Sequence, residues 1–222
     1  MERLICLVIG YAFGLFQTAY FYGRAHQIDI RKVGSGNAGT TNTLRTFGFK
    51  AGLIVFLGDF IKPILAALVV YLLFMKTHQD TITLLVLYAG FGAILGHNYP
   101  FYLKFHGGKG IATTAGVFAA LGCWQLDLVW FWTFILMVLI TRYVSAGSLT
   151  MITLEFVAFC VFINLGYIGG IGTYAALYET LIVALVISLF AFFRHRENIR
   201  RLYMGTENVL SFSFFKKKAA EV

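Results

Sequence analysis

Charge is what this sequence has least of. Only 13% of its 222 residues are charged, against about 25% in a soluble domain. With 59% hydrophobic residues and a mean hydropathy of +0.78, a soluble globular domain is excluded, and one integral membrane domain is expected. Cysteine is also scarce. Cys6, Cys123 and Cys160 lie far apart in apolar or boundary sequence, so neither a disulfide framework nor a metal-binding spacing can be drawn from them. They read as small apolar packing residues. No cluster of His, Cys and carboxylates stands out, so neither a metal nor a cofactor is expected. No Ser-His-Asp or Cys-His arrangement can be defended either. Internal repeats and βαβ patterns are missing as well. Acidic residues are few, 10 against 18 Lys and Arg, which leaves a net charge of +8. In a membrane chain that excess points to anionic headgroups and phosphorylated substrates rather than nucleic acid.

What the sequence does have is long apolar runs and many aromatics, 23 Phe, 12 Tyr and 3 Trp. A span needs about 20 mostly apolar residues. Seven segments qualify, at 3–23, 51–75, 81–97, 111–123, 126–141, 149–165 and 172–193. The fourth and fifth are short enough to be half-spans, or one broken span, which would make six. The first is too long for a signal peptide and has no small-residue cleavage site. With the N-terminus outside, 15 of the 18 Lys and Arg fall on inner segments. Only Arg3 and Lys76 are outside, and Lys62 lies within a span. Positive charge marks the cytoplasmic side, so an N-out, C-in chain with an odd number of spans is expected. Residues 1–208 read as a single polytopic domain and 209–222 as a basic, aromatic tail.

The polar stretches then all fall on one face. GHNYPFYLKFHGGKGIATTAG, residues 96–116, carries two Lys, two His and five Gly between apolar runs. Gly107, Gly108 and Gly110 let backbone approach a ligand, and Lys109 adds a point charge, so the stretch reads as an anion cradle. A plain glycine-rich turn with a snorkelling lysine is the alternative. The first inner loop holds VGSGNAGTTNTLRTFG, residues 33–48. Its G-x-G-x-x-G lacks the strand and helix of a dinucleotide fold, so only the local chemistry survives: glycine backbone, Ser35, Asn37 and Arg45 facing an anion. A flexible loop with ordinary helix caps would look similar. Asp59 and Lys62 share a helix face and read as an internal ion pair. Ser145 and Ser148, three apart in TRYVSAGS, can face one cavity. After the last run, His195 and Asn198 share a face, and Glu197 and Arg201 form an i, i+4 pair. A basic helix lying on anionic lipid would need neither the His nor the Asn.

Taken together, GSGNAGTTNTLR, GHNYPFYLKFHGGKGIAT, TRYVSAGS and RHRENIRRLYMGTE resemble the bacterial membrane acyl-phosphate–glycerol-3-phosphate acyltransferases, over nearly the whole chain to about residue 208. The resemblance implies an all-α enzyme of the bacterial inner membrane, with its site facing the cytoplasm. It implies transfer of a fatty acyl group from acyl phosphate to the 1-hydroxyl of sn-glycerol 3-phosphate, giving lysophosphatidic acid and phosphate. None of the five His is followed by Asp five residues on, so the H-x-x-x-x-D motif of the soluble-type acyltransferases is missing. On this resemblance Ser35, Gly36, Asn37, Gly107, Gly108, Lys109 and Gly110 cradle acyl phosphate. Arg45, Lys109, Ser145, Ser148, His195 and Asn198 hold glycerol 3-phosphate, and His195, Asn198 and Lys109 are the catalytic group. Besides the two substrates, only membrane lipids are expected as partners. A polytopic transporter of a phosphorylated anion is the rival reading.

Overall fold

The computed structural model describes residues 1–210, and among these there are helices and turns but no strand. The basic tail expected at 209–222 lies outside the described residues from Ser211 on. The first apolar run forms helix α1 (Glu2–Gly14) and, after a break, α2 (Thr18–Ala25). The buried Gln17 sits at the break and binds carbonyls there and at residues 96 and 97. Its Nε2 donates to Gly14 O at 3.2 Å, Gly96 O at 3.3 Å and His97 O at 2.9 Å. Helix α3 (Thr40–Phe47) leads directly into α4 (Phe49–Phe74). Next come α5 (Ile82–Asn98) and the short α6 (Ile111–Ala119). The remaining helices are α7 (Trp124–Thr141), α8 (Val144–Asn164), α9 (Tyr174–Arg194) and α10 (Arg196–Tyr203).

Six helical stretches are long and apolar enough to cross a membrane, one fewer than the sequence suggests. The run at 111–123 supplies only nine helical residues, about 14 Å of rise where a bilayer core needs about 30 Å. It ends because Leu121 and Gly122 close a turn on Phe118 and Ala119, with Gly122 at φ +70°. The direction still reverses there. Ile111 opens α6 at a cleft, α7 returns to the same end, and Val144 opens α8 at that cleft. The segment expected fourth is thus too short to span.

Glycines bring α1 and α5 together as parallel neighbours. A Cβ on Gly10 would lie 1.8 Å from Ala89 O, and one on Gly96 would lie 2.3 Å from Tyr11 O. Such small-residue contacts replace the hydrophobic drive that lipid removes. Leu84, Leu87, Phe118, Leu126, Phe159 and Ile187 form a core shared by α5 to α9. Leu68, Leu72, Trp132, Leu136 and Leu139 face outward, as bilayer-facing side chains do. At the end away from the cleft, Arg3 forks onto Glu179 with two 2.6 Å bonds, tying α1 to α9. The three cysteines are free, and Cys6 and Cys123 are buried.

Candidate functional site

The polar stretches converge on one cleft, open to solvent at the end of the bundle. Ser35, Asn37, Arg45, Lys109, Gly110, Ser145, Ser148, His195 and Asn198 all line it. Gly36, Gly107 and Gly108 do not.

Both glycine loops are braced by their own hydrogen bonds, which take up the amides of Gly36, Gly107 and Gly108. Gly107 N donates to Asn98 O and Gly108 N to His97 O, at 3.1 and 3.2 Å. Gly36 N donates to Val33 O, and Ser35 N to Asn42 Oδ1 at 2.9 Å. Asn42 is the peg of the first loop, since its Nδ2 also donates to Ile30 O and Val33 O at 3.0 Å each. What reaches the cleft are the amino ends of three helices. Thr40 and Thr41 of α3, Ile111 and Ala112 of α6, and Val144 and Ser145 of α8 all line it. First-turn N–H groups have no intrahelical acceptor, and their dipoles favour an anion.

The cations are held by a second set of contacts. Lys109 Nζ donates to Asn198 Oδ1, and Asn198 Nδ2 donates to Glu207 Oε1 at 2.9 Å. Arg201 Nε donates to Glu207 Oε2 at 2.9 Å. The expected pair of Arg201 with Glu197 does not form, because Glu207 offers a buried carboxylate and Glu197 points to solvent. Arg45 Nη2 donates to Asn208 O at 3.3 Å, and Leu210 N to Arg142 O at 2.8 Å, so the segment after α10 folds back over the cleft. Arg194 Nη2 ties the lysine loop from behind through Gly108 O at 2.8 Å.

Burial, with repulsion from Arg201, Arg194 and Arg45, lowers the Lys109 ammonium to about 8, while Glu207 opposes the shift. Burial also pulls His195 down to about 4, with Lys109 and Arg194 adding to it. His195 is therefore neutral at pH 7. Its Nδ1 donates to Ala191 O at 2.8 Å, which leaves Nε2 as an acceptor. Arg45 is lowered by burial but keeps its charge. Ser148 Oγ donates to Val144 O at 2.8 Å, and Ser145 Oγ is buried with no partner among the described residues.

One wall is apolar, built from Phe56, Ala115, Trp130, Phe134 and Met151. Phe56 and Phe60 on α4 meet Trp130 on α7 at ring distances of 6.5 and 5.6 Å. Arg201, Glu207, Asn208 and this wall escaped the reading of the sequence. Glu207 and Arg201 sit in the RHRENIRRLYMGTE stretch, but spacing alone favoured the wrong partner for Arg201. Among the described residues, no group of three or more His, Cys, Asp or Glu is placed to hold a metal.

A family model for glycerol-3-phosphate acyltransferase matches residues 4–205. A glycerol-3-phosphate acyltransferase of Thermosipho melanesiensis is 38% identical over 98% of this chain and 99% of its own length. The crystal structure of PlsY (YgiH), an integral membrane glycerol 3-phosphate acyltransferase, in its glycerol 3-phosphate form superposes with a TM-score of 0.80 at 32% identity. It covers 95% of this chain and 96% of that one. The lysphosphatidic acid form of PlsY gives a TM-score of 0.78 at 31% identity, over the same shares of the two chains.

Proposed function

This chain belongs to the glycerol-3-phosphate acyltransferase family, and from that premise we propose that it moves a fatty acyl group from acyl phosphate to the 1-hydroxyl of sn-glycerol 3-phosphate. The products are lysophosphatidic acid and phosphate, and the step is the first acylation of bacterial phospholipid synthesis. The cleft faces the cytoplasm of an inner membrane, in line with the basic residues gathered at its end of the bundle. PlsY is known in forms with glycerol 3-phosphate and with lysphosphatidic acid, which are the acceptor and product of this reaction.

The observation that carries the reading is the pairing of two surfaces in one cleft. Arg45, Lys109, Arg201 and three helix amino ends face an apolar wall of Phe56, Trp130, Phe134 and Met151. A transported anion needs only the first surface, and a site near the membrane midplane. An acyl phosphate needs both. Two phosphates brought together repel, and cations with oriented N–H donors in a partly dry cleft offset that repulsion.

Ser35, Asn37, Lys109 and Gly110 meet the acyl phosphate, with Gly36, Gly107 and Gly108 shaping their loops. Arg45, Ser145 and Ser148 meet the phosphate of the acceptor, and His195 and Asn198 orient its glycerol. The hydroxyl oxygen attacks the acyl carbon and an ester bond forms. The bond from that carbon to the phosphate oxygen breaks, and phosphate leaves with the electron pair. Neutral His195 accepts a hydrogen bond from the attacking hydroxyl through Nε2. At about 4 it is a weak base, so the proton goes to a phosphate oxygen, whose second pKa lies near 6. Positioning and charge stabilisation provide the catalysis.

The test is donor choice. Purified protein receives glycerol 3-phosphate with acyl phosphate, acyl-CoA or acyl carrier protein, each alone and without metal. Ester formed only from acyl phosphate, with one phosphate released per ester, supports the reading. Equal turnover from acyl-CoA would overturn it.

A further inference from the structure

Beneath the cleft lies a buried charged cluster that the reaction above does not use. Asp59 and Lys62 on α4 and His97 on α5 are all 4% exposed or less, and Asp59 and His97 border the cleft. Lys62 Nζ reaches three acceptors: Asp59 Oδ1 at 3.0 Å, His97 Nδ1 at 2.7 Å and Phe16 O at 3.1 Å. An ammonium has three donors, so this set is complete. Thr18 Oγ1 adds a bond to Asp59 Oδ1 at 3.2 Å. With Nδ1 taken as the acceptor of Lys62, the ring carries its proton on Nε2.

That Nε2 faces the turn before Lys109. A Cβ built on Gly108 would lie 2.1 Å from it, so the ring occupies the space a side chain there would need. The same turn is also hydrogen-bonded to the His97 backbone, through Gly108 N and His97 O. Lys109 follows, and its ammonium reaches across the cleft to Asn198. A charged cluster at this depth is costly, and an apolar packing would hold α4 to α5 as well.

We infer that His97 is a positioning residue: it sets the height of the Gly107–Lys109 turn, and Lys62 and Asp59 hold its ring in place. The inference rests on the acyltransferase reading, in which Lys109 meets phosphate. A displacement of about 1 Å at such a group costs on the order of 100-fold in rate. On this inference the effect of His97 on the reaction passes through Lys109.

That route makes a double-mutant cycle decisive. In His97→Asn the amide oxygen replaces Nδ1 as the acceptor of Lys62, and only the part of the ring that reaches Gly108 is lost. Acyl transfer from acyl phosphate is measured for wild type, His97→Asn, Lys109→Met and the double variant, each at matched folded concentration. His97→Asn is expected to lower kcat/KM about 10- to 100-fold alone and less than about twofold in the Lys109→Met background. Equal losses in both backgrounds would overturn the inference, since a merely structural role adds independently. Should His97→Asn fail to fold, Gly108→Ala pushes on the same contact from the other side and must show the same dependence on Lys109. Unchanged turnover in Gly108→Ala would also overturn it. Lack of product from wild type would sink the acyltransferase reading, and this inference with it, and so differs from both outcomes.

Discussion

Lys109 and Asn198, 89 residues apart in sequence, meet across the cleft, with the ammonium donating to the amide oxygen. The bond joins the glycine loop after α5 to the helix after the last span, so two distant motifs form one site. Burial and the neighbouring arginines set the charge state of that lysine. With Lys109 near 8, its proton is lost as pH rises through that value. We expect kcat/KM to be level just below pH 8 and to fall about tenfold per unit well above it. In Lys109→Arg, whatever activity remains should keep no such limb. A wild-type profile flat to pH 10 would contradict the assignment.

Glu207 sits behind this pair and supports the lysine's proton by its charge. Glu207→Gln keeps an oxygen for Asn198 but removes that charge. The alkaline limb should then move below 8, and kcat/KM should drop about tenfold as Arg201 loses its partner. A pH profile series on the purified variant reads both. A limb that stays put would mean that Glu207 does not act on Lys109.

His195 offers a contrasting pH test. It is already neutral above about pH 5, so an acid limb near pH 6 belongs to substrate phosphate. His195→Gln should lower kcat by about 100-fold while leaving the acid limb in place. Disappearance of that limb would instead make His195 the base.

The bundle itself can be tested at Gly10, where a Cβ would strike the Ala89 carbonyl oxygen at 1.8 Å. Gly10→Ala should destabilise the protein by about 1–3 kcal/mol, seen as a lower melting temperature in detergent. Gly169 has nothing within 4 Å of its Cβ position, so Gly169→Ala should melt like wild type.

These residues also mark how far the sequence could be read. Lys109, His195 and Asn198 were legible because cations and polar side chains are conspicuous in an apolar chain. The ion pair of Asp59 and Lys62 followed from spacing alone, and forms at 3.0 Å. The third member, His97, could not be foreseen, since it comes from another helix. Neither could Glu207 be placed as the partner of Arg201, because the chain turns back after α10 to bring it there. The bracing of the glycine loops was not legible, because the bonds come from Asn42 and the end of α5 rather than from the loops' composition. Helix α6 was over-read because the apolar run at 111–123 continues past the point where Gly122 turns the chain.

The central claim is that this cleft joins acyl phosphate to glycerol 3-phosphate through Lys109. The most direct test follows labelled glycerol 3-phosphate in a single turnover with acyl phosphate, comparing wild type with Lys109→Met at equal folded concentration. Wild type should yield labelled lysophosphatidic acid with the ester on the 1-hydroxyl, and the variant should be slower by at least about 100-fold. Equal rates from the two proteins, or no labelled ester from wild type, would contradict the account.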